Sequence, residues 1–180
     1  MVSDATELEI DFGKLITPPL AGIAVHEIEY FPESRIELRS ETSAAIGRLF
    51  AMEEAKLKVA DLLFRETCLL WIVDSVGRIW IALEELIHKD YPKVARMPRV
   101  RSFPRVKGFP KLGHPSLLEG SRKSGRIAGE IVYDRGLAQP WCLTNSSGRY
   151  GLNCGRTEDQ LRSVQLRFQS LGFRLGMAFV

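Results

Sequence analysis

Cysteine is scarce in this chain. Cys68, Cys142 and Cys154 are the three among 180 residues, an odd set without Cys-x-x-Cys spacing. That argues against a disulfide scaffold or a zinc site, and it fits reduced cytosolic thiols; no metal is expected. Long apolar runs are missing too. The longest, residues 69–73, is far short of the ~20 residues a membrane-spanning helix needs, so no membrane partner is expected. The opening Met-Val-Ser-Asp-Ala-Thr-Glu is acidic and lacks an apolar h-region. The expectation is a cytoplasmic protein, or one exported by a route that uses no signal peptide. There is no P-loop, no Gly-x-Gly-x-x-Gly, no His-Glu-x-x-His and no Gly-x-Ser-x-Gly, which removes the commonest nucleotide-binding, metalloprotease and esterase signatures.

One further absence is local. From Lys93 to Lys111 there are seven cations and not one acid. What the stretch holds instead is a repeat. Four hexapeptides run head to tail: Pro92-Lys93-Val94-Ala95-Arg96-Met97, Pro98-Arg99-Val100-Arg101-Ser102-Phe103, Pro104-Arg105-Val106-Lys107-Gly108-Phe109 and Pro110-Lys111-Leu112-Gly113-His114-Pro115. Each opens with proline, a cation and an aliphatic residue. Every third position is apolar (Val94, Met97, Val100, Phe103, Val106, Phe109, Leu112), and the adjacent phase is mostly cationic. A period of three is that of polyproline II, which makes no internal hydrogen bonds. The expectation is therefore an extended arm with one greasy edge. Its partner-binding side would be Lys93, Arg96, Arg99, Arg101, Arg105, Lys107 and Lys111. Such an arm lies either on its own globule, as a strap, or on an anionic partner. An acidic protein surface suits it better than nucleic acid, because only Phe103 and Phe109 interleave with the cations as stacking platforms.

The arm also divides the chain by charge. Residues 1–90 carry 9 Lys/Arg and 17 Asp/Glu, a balance of −8, and residues 91–180 carry 16 and 5, or +11. The overall +3 conceals this. Either the basic half meets an anionic partner or the two halves face each other in one fold. The organisation expected is an acidic part over residues 1–90, the arm over 91–112 and a basic module over 113–180. With 45% hydrophobic residues, a single packed domain is equally supported.

Local patterns give an α+β chain with a mostly antiparallel sheet, two main helices and the arm. Residues 23–30 and 35–39 alternate as strands, and the first forty residues read as short strands and turns. A helix is expected over residues 42–65, with Ile46, Leu49, Leu57, Ala60 and Phe64 on one face and Glu54 paired to Lys58. Residues 69–73 and 78–83 form the clearest hairpin, apolar on successive residues and so buried on both faces. Residues 84–89 read as a helical turn. Two strands follow at 126–133 and 141–144. Thr157 and Gln160 form a capping box for a second helix that Gly172 ends, and residues 173–180 close as a strand.

Three short blocks stand apart from this frame: Gly113-His114-Pro115-Ser116-Leu117-Leu118, Ala128-Gly129-Glu130 and Thr144-Asn145-Ser146-Ser147-Gly148-Arg149-Tyr150-Gly151. The last is a polar turn whose small side chains (Asn145, Ser147, Gly148, with Ser116 from the first block) let backbone N–H groups converge on an anion. Arg149 would hold a phosphate or carboxylate, and Tyr150 offers a flat face for a ring. Over about residues 112–172 this combination resembles a module of bacterial toxins and effectors that also occurs in plant IQ-motif proteins, with His-Ser-Ser-Phe-Leu, Ala-Gly-Glu-Leu and Ser-Gly-His-Tyr stretches. Here Pro115 replaces the first serine, Leu117 the phenylalanine and Arg149 the second histidine. The set is also similar to the His-Tyr-Glu class of ADP-ribosyltransferases. That resemblance implies NAD as ligand, His114 on a ribose hydroxyl, Tyr150 on nicotinamide and a glutamate steadying the oxocarbenium-like centre. The closing strand has no acid, so the third role falls to Glu130 or Glu158. Two functions stand open: an NAD-binding or ADP-ribosyl-transferring effector domain, and a non-catalytic protein that engages an acidic partner through the arm.

Overall fold

The computed structural model describes residues 5–52, 58–92, 96–103 and 105–180. Lys93 and Val94 of the arm, and Leu57 and Glu54 of the expected long helix, lie outside the described residues. Those described form an α+β fold.

Its centre is the apolar hairpin. β2 (Leu69–Asp74) and β3 (Ile79–Leu83) pair antiparallel with Trp71 opposite Ile81. The turn between them has a physical anchor. The Asp74 carboxylate accepts from the Val76 and Arg78 N–H groups at 3.0 and 2.9 Å, and Gly77 takes φ +85°, a region that disfavours any side chain. β2 then pairs with β7 (Gly125–Tyr133), β7 with β8 (Trp141–Thr144), and β8 runs parallel to β9 (Gly176–Ala178). β1 (Ile36–Glu37) closes the other edge on β3, giving the order β1-β3-β2-β7-β8-β9.

Because successive strand residues face opposite ways, every residue of β2 is buried. Trp71 and Val73 join the large core, which α1 (Ala5–Phe12), α3 (Ser40–Ala51), α4 (Lys58–Glu66) and α5 (Glu158–Ser170) cover with Leu8, Phe12, Ile46, Phe64, Leu161, Val164 and Phe168. Leu70 and Ile72 point into a second cluster with Leu117, Leu118, Ala128 and Tyr150. α5 starts as expected: Thr157 Oγ accepts from the Gln160 N–H and the Gln160 side chain accepts from the Thr157 N–H. Gly172 ends it at φ +90°. Among the described residues no helix is long and apolar enough to cross a membrane.

Three local expectations are corrected. Residues 5–12 are helical, since Leu8 and Phe12, one turn apart, bury together. Residues 25–29 form α2 (Val25–Glu29) and not a strand, because the buried Glu27 turns back and accepts from the Ala24 N–H at 3.2 Å, capping the turn. The stretch expected as a helical turn, 84–89, contains β4 (Glu85–Ile87). Its partners come from the arm itself: β5 (Arg96–Pro98) on one side and β6 (Lys111–Leu112) on the other, a sheet ordered β5-β4-β6. Polyproline II makes no hydrogen bonds, whereas here the Ile87 and Lys89 N–H groups donate to Pro110 and Gly108 and the Arg101 N–H donates to Glu66.

Four of the arm's described cations meet acids, and for Arg96, Arg99 and Lys111 the acid lies in the first half. Glu84, 3% exposed, receives Arg99 and, at 2.8 Å, Lys111. Arg96 lies 3.7 Å from Glu85, whose carboxylate also accepts from Ser34. Arg101 reaches Glu130 at 2.8 Å. The Arg99–Glu84 pair is the enclosed one; Lys111 is more than half exposed and contributes less. Glu84→Gln leaves the Arg99 guanidinium without its counter-charge. The expected cost is about 3–5 kcal/mol, read as a lower urea midpoint at unchanged m-value. An unmoved midpoint would show that the pair does not hold the arm.

Candidate functional site

β7 and β8 approach each other unusually closely at Gly129. A Cβ there would lie 1.7 Å from the Thr144 carbonyl oxygen, so only glycine permits the pairing that brings Glu130 and the loop after β8 together. Gly151 does the same at the far end of that loop, where a Cβ would sit 2.0 Å from the Asn145 oxygen. The 3₁₀ turn at His114–Leu117 docks on this corner, and a cavity of about 360 Å³ opens where it meets β7, the loop, α2 and the start of β4.

Five of the eight residues singled out in the motif blocks line this cavity: His114, Glu130, Ser147, Gly148 and Arg149. His114 Nε2 is 2.9 Å from the Gly129 carbonyl oxygen. A carbonyl only accepts, so Nε2 carries the proton and Nδ1 keeps its lone pair. Burial pushes the imidazole below its ordinary pKa, a trend the Gly129 hydrogen bond opposes. Glu130 is held by Arg101. Arg149 donates to Glu27 at 3.1 Å, and its side chain is 39% exposed, so the guanidinium still faces incoming ligand. Ser147 Oγ is buried without a hydrogen-bond partner among the described residues. Gly148 leaves open space where a Cβ would be, so its use is room, not conformation.

Three of the eight lie elsewhere, each for a physical reason. Tyr150 is fully buried in the second core cluster; its hydroxyl donates to the Lys123 carbonyl oxygen at 2.7 Å, and burial pushes its phenol well above the usual range. It offers no face to a ring. Ser116 Oγ closes its own turn on the Gly113 oxygen at 2.6 Å. Asn145 ties down the C-terminus, donating to the Val180 oxygen and accepting from the Val180 N–H at 2.9 and 2.8 Å. Of the two candidate acids, Glu130 lines the cavity; Glu158 starts α5 and pairs with Arg162.

The sequence reasoning missed Glu27 and Glu84, both buried cavity-lining acids. Glu27 sat in a stretch read as strand, and Glu84 in one read as a helical turn. The available signal was an acid inside an apolar run, which burial forces to find a cation. Lys111, read as an arm cation, also lines the cavity. Arg105 and Lys107 are exposed. Among the described residues no group of three or more His, Cys, Asp or Glu is placed to hold a metal ion. Burial raises the pKa of the Cys68 and Cys142 thiols, which keeps both protonated and unreactive.

No protein-family model, curated protein or solved structure matches this chain. The cavity is therefore read from its own chemistry. It holds one flat ring, His114, one partly exposed guanidinium, and three carboxylates that each meet a cation.

Two outcomes follow from these placements. Tyr150→Phe should cost about 1 kcal/mol for the lost hydrogen bond, and Tyr150→Ala about 3–5 kcal/mol for the cavity, measured by denaturant unfolding. Equal, negligible losses would place the ring at the surface. For His114, the unfolded chain binds the proton more readily than the fold. Stability should fall as pH drops below about 6.5. Thermal melts between pH 7.5 and 5 should show part of that slope vanishing in His114→Gln. An identical slope in both proteins would mean that His114 titrates normally.

Proposed function

We propose that this chain is an effector-type domain that binds NAD in the cavity at His114, Glu130 and Arg149. The observation that carries the reading is convergence: residues from three sequence blocks up to 35 positions apart, together with Glu27 and Glu84, line one cavity of about 360 Å³. That size suits part of a dinucleotide and not all of it. Arg149 takes a phosphate, leaving Glu27 or sharing it. Ser147 Oγ, which has no hydrogen-bond partner among the described residues, takes a ribose hydroxyl. The imidazole of His114, as the flat ring in the lining, replaces Tyr150 as the surface for nicotinamide.

In ADP-ribosyl transfer the C1′–N bond of NAD breaks and nicotinamide leaves with the bonding electron pair. The acceptor's nucleophilic atom then bonds to C1′ and releases its proton. A carboxylate beside C1′ lowers the barrier by stabilising the developing positive charge. Glu130 fills that role, positioned by Arg101.

Calorimetric titration with NAD and ADP-ribose, together with chromatography of released nicotinamide, tests both parts. NAD should bind one-to-one, and Arg149→Ala should weaken it about 10-fold, or ~1.4 kcal/mol. Glu130→Gln should keep binding and lose at least about 100-fold in nicotinamide release. Natively folded protein that neither binds NAD nor releases nicotinamide overturns the reading. Binding without release removes the transfer step alone.

A further inference from the structure

The repeat does more than strap the fold. Beside the small sheet it forms a groove of about 540 Å³, separate in its lining from the cavity above except for Lys111. Its apolar floor is Leu86 from β4 with Val106, Phe109 and Pro110 from the arm. Its charged residues are Lys89, Arg99, Arg105 and Lys111, with no acid in the lining among the described residues. Both phases of the three-residue period thus end in one place: Val106 and Phe109 from the apolar phase, Arg99, Arg105 and Lys111 from the cationic one.

We propose that this groove is a docking site for an acidic peptide segment that carries an apolar anchor residue. Charge complementarity fixes the occupant. Arg105 is exposed and has no ion pair among the described residues. Lys89 meets Asp90 at 3.7 Å with both side chains more than half exposed, a contact weak enough to exchange. Two accessible cations at different points of the groove call for more than one carboxylate, which a peptide supplies and a single small acid does not. The floor takes an aliphatic or aromatic side chain between those carboxylates. Nucleic acid fits less well: Phe109 is the one aromatic residue in the described lining, and it is already packed edge-to-face against His88, with ring centroids 4.9 Å apart at 86°. The proposal does not rest on the NAD reading.

The test is a random dodecapeptide phage library panned on the whole chain, with the surface double variant Lys89→Glu/Arg105→Glu as counter-selection. Enriched peptides should place Leu or Phe among two or more acids. Synthesised with a fluorescein label, they should bind the native chain at least tenfold tighter than the double variant and than Val106→Asp. Affinity should fall with added salt, and Arg149→Ala should leave it unchanged. Thermal melts establish that the variants keep the fold. No enrichment, a consensus without acids, or equal binding by the double variant overturns the proposal. So does tighter binding of an oligothymidylate than of any enriched peptide at the same salt.

Discussion

The carboxylate of Glu84 is the point on which the second half of this structure depends. It is 3% exposed, and an unpaired carboxylate in that position would be untenable. Arg99 and Lys111 reach it from the second and fourth hexapeptides, and the Arg99 N–H also donates to its backbone oxygen at 2.7 Å. Those contacts fold the arm around β4 so that β5 and β6 pair on either side. The charge division between the two halves of the sequence thus has a structural use. Acids from the first half, Glu84, Glu85 and Glu66, receive the arm's side chains or backbone N–H groups. A basic arm of this length would otherwise be a nonspecific polyanion binder. With Arg96, Arg99, Arg101 and Lys111 paired, Arg105 and Lys107 are left as exposed cations without an ion pair among the described residues.

The hairpin and the sheet it starts were legible in the sequence because their determinants are local. Continuous apolar runs in β2 and β3 leave no choice but burial on both faces, the Asp74 turn sits between them, and the Thr157–Gln160 box marks the start of α5 within four residues. β4 was not legible, since its three residues acquire strand geometry only from partners distant in sequence: Ile87 lies opposite Arg96, 9 positions on, and Leu86 opposite Lys111, 25 positions on. α2 was hidden for a related reason: Glu27 caps its own helix and is buried against Arg149, a residue 122 positions on. Period three was read correctly as a pattern and misread as a conformation, because polyproline spacing does not reveal that a buried acid will recruit the chain into a sheet.

The candidate site divides along the same line. His114, Glu130 and Arg149 are polar residues beside glycines, and at Glu130 the neighbour, Gly129, marks the close backbone approach between β7 and β8. Tyr150, next to Arg149 in the same block, faces the opposite way. The turn residues before it and the close approach at Gly151 direct its ring into the core, where Leu70, Ile72 and Leu118 enclose it. Adjacency in a motif says nothing about which way a side chain turns; what decides is whether an aromatic ring of that size has a core to enter. Here it does, and its burial helps fix the loop that presents Ser147, Gly148 and Arg149.

One consequence connects the two halves of the surface. Glu84 and Lys111 line the cavity, while Arg99 and Lys111 line the groove, so the same ion-paired group forms the wall between them. A carboxylate arriving in the groove competes with Glu84 for Lys111, the more exposed of its two partners. Glu84 would then rely on Arg99 alone, and the cavity would lose a cation from its rim. Coupling of this kind is a difference in binding free energy that must act equally in both directions. An anion in the cavity that draws on Lys111 therefore weakens the groove's hold on an acidic segment by the same factor. Glu84 directly precedes β4, and Lys111 of β6, the strand paired with β4, is the residue that lines both surfaces.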